Sequence, residues 1–232
     1  MKILAIDTSS VSASVAICED SSLLGESFIH IQQTHSQTLM PAVCALMKQC
    51  GISFSEIDLF AITVGPGSFT GVRIGIAAVK GMAAAYNKPC VGISTLEALA
   101  ANCPDFSGTV CAALDARRNQ VYNALFSVSK GEIARLCSDR ALKITDLQQE
   151  LFGKSVLLVG DGAQLCYNAF KDVISCRLAA EPWRFVRAAT VAICGYQAYK
   201  TGHAISADKL VPAYLRLPQA ERELRAKLAQ KQ

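Results

Sequence analysis

The chain has 232 residues, a length that allows either one large domain or two smaller lobes. Hydrophobic residues make up 51% of it and charged residues 18%, which predicts a compact globular protein and excludes a disordered one. The 23 Lys and Arg against 19 Asp and Glu give a net charge of +4, too small to mark a nucleic-acid-binding protein.

The cysteines and the N-terminus indicate the compartment. Ten cysteines occur without a CxxC pair or metal-type spacing, and most stand among Ala, Val and Leu, so we expect reduced, buried thiols. Asp7 interrupts the apolar run that a signal peptide requires, and no uncharged apolar segment of about 18 residues follows. The sequence therefore predicts a cytoplasmic protein without a membrane span.

The first elements form a hairpin followed by a helix. Apolar runs at 3–6 and 11–17 flank a polar turn and predict two antiparallel strands, with a third strand at 23–30. A helix is predicted over 34–50, where apolar residues recur at helical spacing and Gly51 provides a stop. Its apolar positions are Leu39, Val43, Leu46 and Met47.

A strand, a glycine-rich turn and a long helix come next. The apolar strand is predicted at 59–64, the turn at 65–67 and an Ala- and Gly-rich helix at 70–86. Residues 89–93 predict another strand, and 94–101 a short helix with Ser94 or Thr95 as its cap.

The second half repeats the opening pattern after a turn-rich stretch at 104–108. Strands are predicted at 109–114 and 121–128, on either side of Asp115, so the two halves are read as related hairpins. Later elements are a helix near 145–151, a strand at 155–159 ending in Gly160-Asp161-Gly162, and a helix over 188–200. The basic, polar end after Pro218 is read as a marginal helix or frayed tail with a solvated face.

Two acidic turns are candidate phosphate sites. Asp7-Thr8-Ser9-Ser10 has the layout with which the actin-like ATPase superfamily holds phosphates, and Asp115-Ala116-Arg117-Arg118 repeats it in the second half. Ser9, however, stands where active members have a glycine that lets the backbone approach the anion. Asp also caps tight turns for local hydrogen-bonding reasons, and we favour that role at both turns.

The segment GPGSFTGVRIGIAAVKG is the third candidate. At the start of its helix, several backbone amides are free to bind an anion. The segment lacks the GK[ST] of a Walker A loop, however. Gly71, Gly75 and Ala78 recur at helical spacing, and small residues permit close helix approach. Part of this face must pack on the sheet, yet only Arg73 and Lys80 are charged, so we expect a helix-mediated interface.

Histidine motifs for a metal are absent from the sequence. His30, His35 and His203 are too far apart for HxxxH or HExxH, and neither a GxSxG elbow nor a recognisable cysteine nucleophile motif occurs. The sequence therefore predicts no metal ligands and no catalytic residues.

Six segments together resemble the TsaB (YeaZ) family, relatives of the threonylcarbamoyl transferase TsaD. They are ILAIDTS at 3–9, THSQTLMP at 34–41, VGPGSFTGVRIG at 64–75, GISTLEALA at 92–100, LDARRNQVY at 114–122 and PAYLR at 212–216. They are spread over nearly the whole chain, and their combination is far more specific than any one of them.

The resemblance implies an α/β protein of the actin-like ATPase (ASKHA, ribonuclease H-like) fold with two lobes. The lobes are expected at 1–104 and 105–232, with late helices packing back on the first lobe. The catalytic relative carries an HxxxH metal motif in the segment that resembles 94–99 here. Thr95 and Leu99 stand at those places, and neither replaces an imidazole ligand. This implies a paralogue of the glycoprotease (M22) class without its metal chemistry.

The function implied is that of a non-catalytic scaffold or activator subunit. It would pair with TsaD, joined by the ATPase TsaE, to form N6-threonylcarbamoyladenosine beside the anticodon of tRNAs that read codons beginning with A. The resemblance requires no cofactor and leaves ATP or ADP at a shared interface open. It implies tRNA contact only through the complex and no membrane contact.

The pairing is implied to use the helices at 34–50 and 70–86, through which family members also self-associate as homodimers. The interface candidates are His35, Leu39, Val43, Leu46, Thr70, Arg73, Ile74, Ala77, Ala78 and Gly81. The candidates for vestigial nucleotide or phosphate contacts are Asp7, Thr8, Ser9, Ser10, Asp115, Arg117 and Arg118.

Rival functions come from other classes. The first is an active phosphotransferase or ATPase of the same fold that uses Asp7 and Asp115 around Mg-ATP; Ser9 and the short second lobe argue against it. A metallopeptidase and a direct tRNA binder are the others, and a tRNA binder would associate in a salt-dependent manner through its basic residues.

Overall fold

The computed structural model describes residues 1–31 and 33–216. The strands are β1 (Lys2–Asp7), β2 (Ala13–Glu19), β3 (Ser22–Ile29), β4 (Leu59–Gly65), β5 (Cys90–Ser94), β6 (Gly108–Asp115), β7 (Gln120–Ser129), β8 (Glu132–Arg135), β9 (Arg140–Lys143), β10 (Ser155–Val159) and β11 (Ser175–Leu178). The helices are α1 (His35–Cys50), α2 (Phe69–Ala85), α3 (Thr95–Ala101), α4 (Ile144–Leu151), α5 (Ala163–Phe170) and α6 (Ala188–Lys200).

The strands form two mixed sheets that begin in the same way. The first has the order β3-β2-β1-β4-β5, with antiparallel β1–β2 and β2–β3 pairs and β4 and β5 added in parallel. The second has the order β11-β10-β6-β7-β8, where β6 and β7 are antiparallel, β10 lies parallel to β6, and β9 also pairs with β7. The predicted pair of related hairpins is confirmed.

Alternation along β1 gives the first sheet two apolar faces. Leu4 and Ile6 belong to a core cluster with α1 and α2, whereas Ile3 and Ala5 belong to a cluster with α3 and α6. The sheet is therefore covered on both sides, and α6, from the second half of the chain, lies on the face opposite α1 and α2.

The second sheet also has two covered faces. Val110 and Ala112 of β6 share the core cluster of α3 and α6, whereas Cys111 and Ala113 pack with α4 and α5. The layers thus run α1/α2, first sheet, α3/α6, second sheet, α4/α5, and the two middle helices belong to one core that joins both sheets.

The N-terminal turn of α2 lies directly against the β1–β2 turn. Ser68 caps the helix by accepting a hydrogen bond from the Gly71 amide at 3.2 Å, and its own amide donates to the Ser9 carbonyl at 2.7 Å. A Cβ on Gly71 would overlap the Thr8 carbonyl oxygen, and one on Gly75 would overlap the Thr8 hydroxyl. Glycine is therefore required where the helix crosses the turn.

Most predicted elements are confirmed to within a few residues. Ser94 is the cap of α3, since its hydroxyl accepts from the Glu97 amide at 3.3 Å, and Gly51 ends α1 in a left-handed conformation with φ of 66°. Four short elements were not predicted: β8, β9, β11 and α5. The predicted tail after Pro218 lies outside the described residues.

Two compositional predictions can also be compared with the structure. All ten cysteines are free thiols, and Cys44 alone among them is exposed. Within residues 1–31 and 33–216, no helix combines the length and the apolar character that a bilayer span requires.

The close contact between α2 and the turn predicts opposite effects for two glycines of the same helix. Gly71→Ala should lower the free energy of unfolding by about 1–3 kcal/mol, because its methyl group must displace the Thr8 backbone. Gly81→Ala, where no atom lies within 4 Å of the added carbon, should raise it by up to about 1 kcal/mol through helix propensity. Urea denaturation measures both; equal effects would contradict the packing.

Candidate functional site

The first acidic turn is buried, and its polar groups bind the protein itself. One carboxylate oxygen of Asp7 accepts hydrogen bonds from the Ser9 hydroxyl at 2.5 Å and the Thr63 hydroxyl at 2.6 Å. The Thr8 hydroxyl donates to the Gly71 carbonyl at 2.8 Å, and the Ser10 carbonyl lies 2.8 Å from the His35 ring. The hydroxyls of Thr8 and Ser9 are thus engaged by neighbouring protein groups.

The Asp7 carboxyl is buried with incomplete hydrogen bonding. Burial raises the pKa of its carboxyl above the ordinary value, and the hydrogen bonds from Ser9 and Thr63 only partly oppose that effect. Its second oxygen, Oδ2, is buried and has no hydrogen-bond partner among the described residues. The Thr63 hydrogen bond joins β1 to β4. The Ser9 amide also donates to Asp7 at 3.2 Å, and this local contact is the one that the turn-capping interpretation expects.

The second acidic turn is more open. Arg117, Arg118 and Asn119 are all left-handed, with φ of 64°, 55° and 56°, a sequence of conformations that residues other than glycine rarely adopt. The Arg117 amide donates to Asp115 at 2.7 Å, and the Arg117 guanidinium, whose side chain is 83% exposed, pairs with the same carboxylate at 3.2 Å. Arg118 is exposed. Nothing in the sequence pattern predicted the left-handed run.

Asp161 lies beside the second acidic turn and was not a predicted site residue. It follows β10 and accepts a hydrogen bond from the Asp115 amide at 2.9 Å. The pKa of its carboxyl is raised to about 6, mainly by burial and also by the negative charges of Asp115 and Asp7, while the Asp115 amide hydrogen bond and Arg117 lower it in part. Three carboxyls from both halves are thus near one another, and the Gly160-Asp161-Gly162 strand end was the signal that could have indicated this.

The two residues at which the resemblance placed a lost metal motif are core residues. Thr95 and Leu99 are both fully buried in the middle layer, and the Thr95 hydroxyl has no hydrogen-bond partner in the part of the chain that the structure describes. Across that same part, no three His, Cys, Asp or Glu side chains are grouped so as to hold a metal ion. His203 is on the surface, 2.9 Å from the Thr201 hydroxyl.

Three predicted interface residues on α1 prove to be core residues. Leu39, Val43 and Leu46 are at most 5% exposed and pack under the helix against the first sheet. Their helical spacing marks the face that the protein covers itself, so their assignment as partner contacts was wrong. His35, half-buried, points to the Ser10 carbonyl.

The candidates on α2 lie on its outer face. Thr70, Arg73, Ala77 and Gly81 are exposed, and Ile74 and Ala78 are half-buried. The opposite face, with Val72 and Val79 as examples, is buried on the first sheet. The outer face therefore offers a row of small side chains with two cationic groups, Arg73 and Lys80, of which Lys80 donates to the Asp208 and Leu210 carbonyls.

A cavity of about 1250 Å³ lies elsewhere, between the middle helices and the second sheet. Phe126 and Leu157 contribute apolar walls, Glu97 and Arg135 line its rim as an ion pair at 3.1 Å, and Trp183 stands at one end. Asp7, Asp115 and Asp161 do not line it. No sequence pattern indicated this cavity.

Comparison with known proteins was made for sequence and for structure. A family model described as "TsaD: tRNA N6-adenosine threonylcarbamoyltransferase" matches residues 28–224. The chain is 32% identical over 225 residues to the Bacillus subtilis tRNA threonylcarbamoyladenosine biosynthesis protein TsaB, covering 95% of this chain and 96% of that one.

Solved structures give a consistent result. YeaZ from Pseudomonas aeruginosa superposes with a TM-score of 0.79 at 28% identity, covering 92% of this chain and 99% of that one. Component A of (R)-2-hydroxyglutaryl-CoA dehydratase from Acidaminococcus fermentans has a TM-score of 0.51 at 10% identity, covering 86% of this chain and 99% of that one. The second likeness concerns the fold alone, and the predicted actin-like α/β fold is confirmed.

The raised pKa of Asp161 predicts how stability depends on pH. The folded carboxyl titrates at about 6 against an ordinary 3.8, so between these values the folded state binds more protons, and stability falls as pH rises. Asp161→Asn keeps an acceptor for the Asp115 amide without the charge. We expect it to exceed the wild type by about 1–2 kcal/mol at pH 7 and to match it near pH 4, by urea denaturation. Lower stability of the variant at pH 7 would contradict this.

Proposed function

The chain belongs to the TsaB (YeaZ) family, and from that membership we propose that it is a non-catalytic subunit that pairs with a TsaD-type threonylcarbamoyltransferase in tRNA threonylcarbamoyladenosine biosynthesis. The observation that carries the proposal is the outer face of α2. A helix face turned to water is ordinarily rich in charged and polar side chains, and this one is not.

The composition of that face fits a closely approaching helix. Ala77 and Gly81 are exposed, as are Ala84 and Ala85 at the end of the helix, and none of the four has a polar side-chain atom. Small side chains reduce the distance at which two helix axes can cross and so increase backbone contact. The inner face is already occupied by the sheet, so a partner helix has only the outer face available.

The proposal that the subunit is non-catalytic is supported by what two groups of residues do. Thr95 and Leu99 cannot ligate a transition metal and are packed into the middle layer. At the first acidic turn, the start of α2 fills the place beside the Thr8 and Ser9 carbonyls, and the turn hydroxyls bond to the protein. A phosphotransferase needs such groups for its substrate, so no observation favours that alternative.

The rest of the assembly follows from the same family membership. We propose that the TsaE ATPase joins the pair, that tRNA is reached through the complex, and that this subunit needs no cofactor of its own. The homodimer is the competing use of α2, since a second copy presents the same small residues. An interface that serves both states would make them mutually exclusive.

A charge placed on the outer face should prevent the pairing. Ala77 is the better site than Ala78, which packs partly against the core. Ala77→Glu should weaken binding to the transferase subunit at least about 30-fold, because the larger side chain holds the facing helix away and places a carboxylate four residues after Arg73. Isothermal titration calorimetry measures the affinity.

The matched control is Ala169→Glu, which places the same charge on an exposed helical position of α5, in the layer farthest from α2. Both variants should unfold at the wild-type urea concentration, and the control should bind normally. Wild-type affinity for a folded Ala77→Glu protein would refute the proposed docking face.

A further inference from the structure

Residues 210–216, which follow a 3-10 turn at Ala207–Lys209, cross the start of α2 and are called the strap. The Lys80 ammonium donates to the Leu210 carbonyl at 3.3 Å, and the Ala213 amide donates to the Val64 carbonyl at 2.8 Å. Gly65 makes this crossing possible, because a Cβ there would lie 2.7 Å from the Ala213 carbonyl oxygen. The strap therefore packs against the end of β4 and against Lys80, at the edge of the outer α2 face.

Tyr214 of the strap holds Arg73 in place. The Arg73 Nε donates to the Tyr214 hydroxyl at 2.6 Å, and the guanidinium lies 5.4 Å from the Tyr214 ring centre and 5.9 Å from that of Phe69. The two rings are themselves 4.8 Å apart. Arg73 is thus fixed at its Nε and flanked by aromatic rings, a geometry that Arg adopts more readily than Lys.

The far end of the strap is fixed to the second half of the chain. Arg216 donates to the Ala116 carbonyl at 3.0 Å and to the Gln120 side chain, and its guanidinium lies 5.3 Å from the Tyr122 ring centre. Because both ends are held, the Tyr214 hydroxyl is presented to Arg73 in one position. Because the Arg73 side chain is already held by Tyr214, it loses less conformational entropy when its guanidinium binds an anion.

Arg73 keeps binding capacity after these contacts. Among residues 1–31 and 33–216 it forms no ion pair, and its terminal NH₂ groups donate no hydrogen bond within that part. A helix docked along Ala77 and Gly81 would cover this guanidinium and remove its water. A cation buried at an interface is costly unless an anion pairs with it, and the planar fork matches a carboxylate.

We propose that the strap and α2 form one composite docking surface, in which Arg73, held by Tyr214, binds an Asp or Glu side chain on the facing helix of a different chain. The inference rests on the proposed pairing through α2 and specifies its chemistry. It disfavours a second copy that docks through α1 or α2, because neither helix contains an acidic residue to offer Arg73.

The test compares two assemblies of the same variants. Tyr214→Phe keeps the ring but removes the hydroxyl, and it should weaken binding to the transferase subunit by about threefold. Arg73→Lys keeps the charge but removes the planar guanidinium, and it should weaken the same binding by about tenfold. Arg73→Ala should weaken that pairing further but leave self-association, followed by analytical ultracentrifugation, unchanged or stronger, since it removes an unpaired cation from the homodimer contact.

The outcomes distinguish the role of Arg73 from the role of the outer α2 face. Wild-type binding by folded Arg73→Lys and Tyr214→Phe would refute the anchor, and weaker self-association of Arg73→Ala would refute the carboxylate preference for a different chain. If Ala77→Glu also binds normally, the docking face itself is wrong. If Ala77→Glu fails to bind while the Arg73 variants bind normally, only the anchor is wrong.

Discussion

The contact between the start of α2 and the β1–β2 turn determines most of what this protein presents to other molecules. Gly67, Gly71 and Gly75 bring the helix so close that an added Cβ would overlap Ser9 or Thr8. This contact uses the turn carbonyls and hydroxyls that could otherwise hold a phosphate. It also fixes which side of α2 is inward, and leaves a row of small residues outward. One packing constraint therefore accounts both for the closed first turn and for the open helix face.

The middle layer has a comparable role for the rest of the chain. Helix α3 contacts strands of both sheets, whereas α6 packs on the first sheet and on α3. Residues of both helices and both sheets belong to one hydrophobic cluster, so the two halves share a core. Gly195 of α6 lies so near the first sheet that an added Cβ would be 2.6 Å from the Ala61 side chain. Thr95 and Leu99, at which the resemblance placed a lost metal motif, contribute to this core. Replacing them with histidines would bury imidazoles among apolar side chains.

Sequence patterns predicted the hairpins, α1, α2 and the cap of α3, because alternation and helical spacing record burial directly. The same logic explains the error on α1: Leu39, Val43 and Leu46 have the spacing of a buried face, and that face is covered by the protein's own sheet. The strands β8, β9 and β11 have four residues each, too few to show an alternation, and the eight residues of α5 were not recognised as a helix. Asp161, Tyr214 and Arg216 act through contacts with residues distant in the chain, which spacing does not reveal.

The central claim is that a transferase subunit covers the outer face of α2 and the strap, and hydroxyl-radical footprinting tests it most directly because it measures side-chain accessibility. Tyr214 is 41% exposed in the unbound chain. Its oxidation and that of Ile74 should fall when the transferase subunit is bound. Phe152 at 71% and Leu165 at 43%, on the opposite outer layer, should oxidise as before. Protection of Phe152 and Leu165 with unchanged oxidation of Ile74 and Tyr214 would contradict the account.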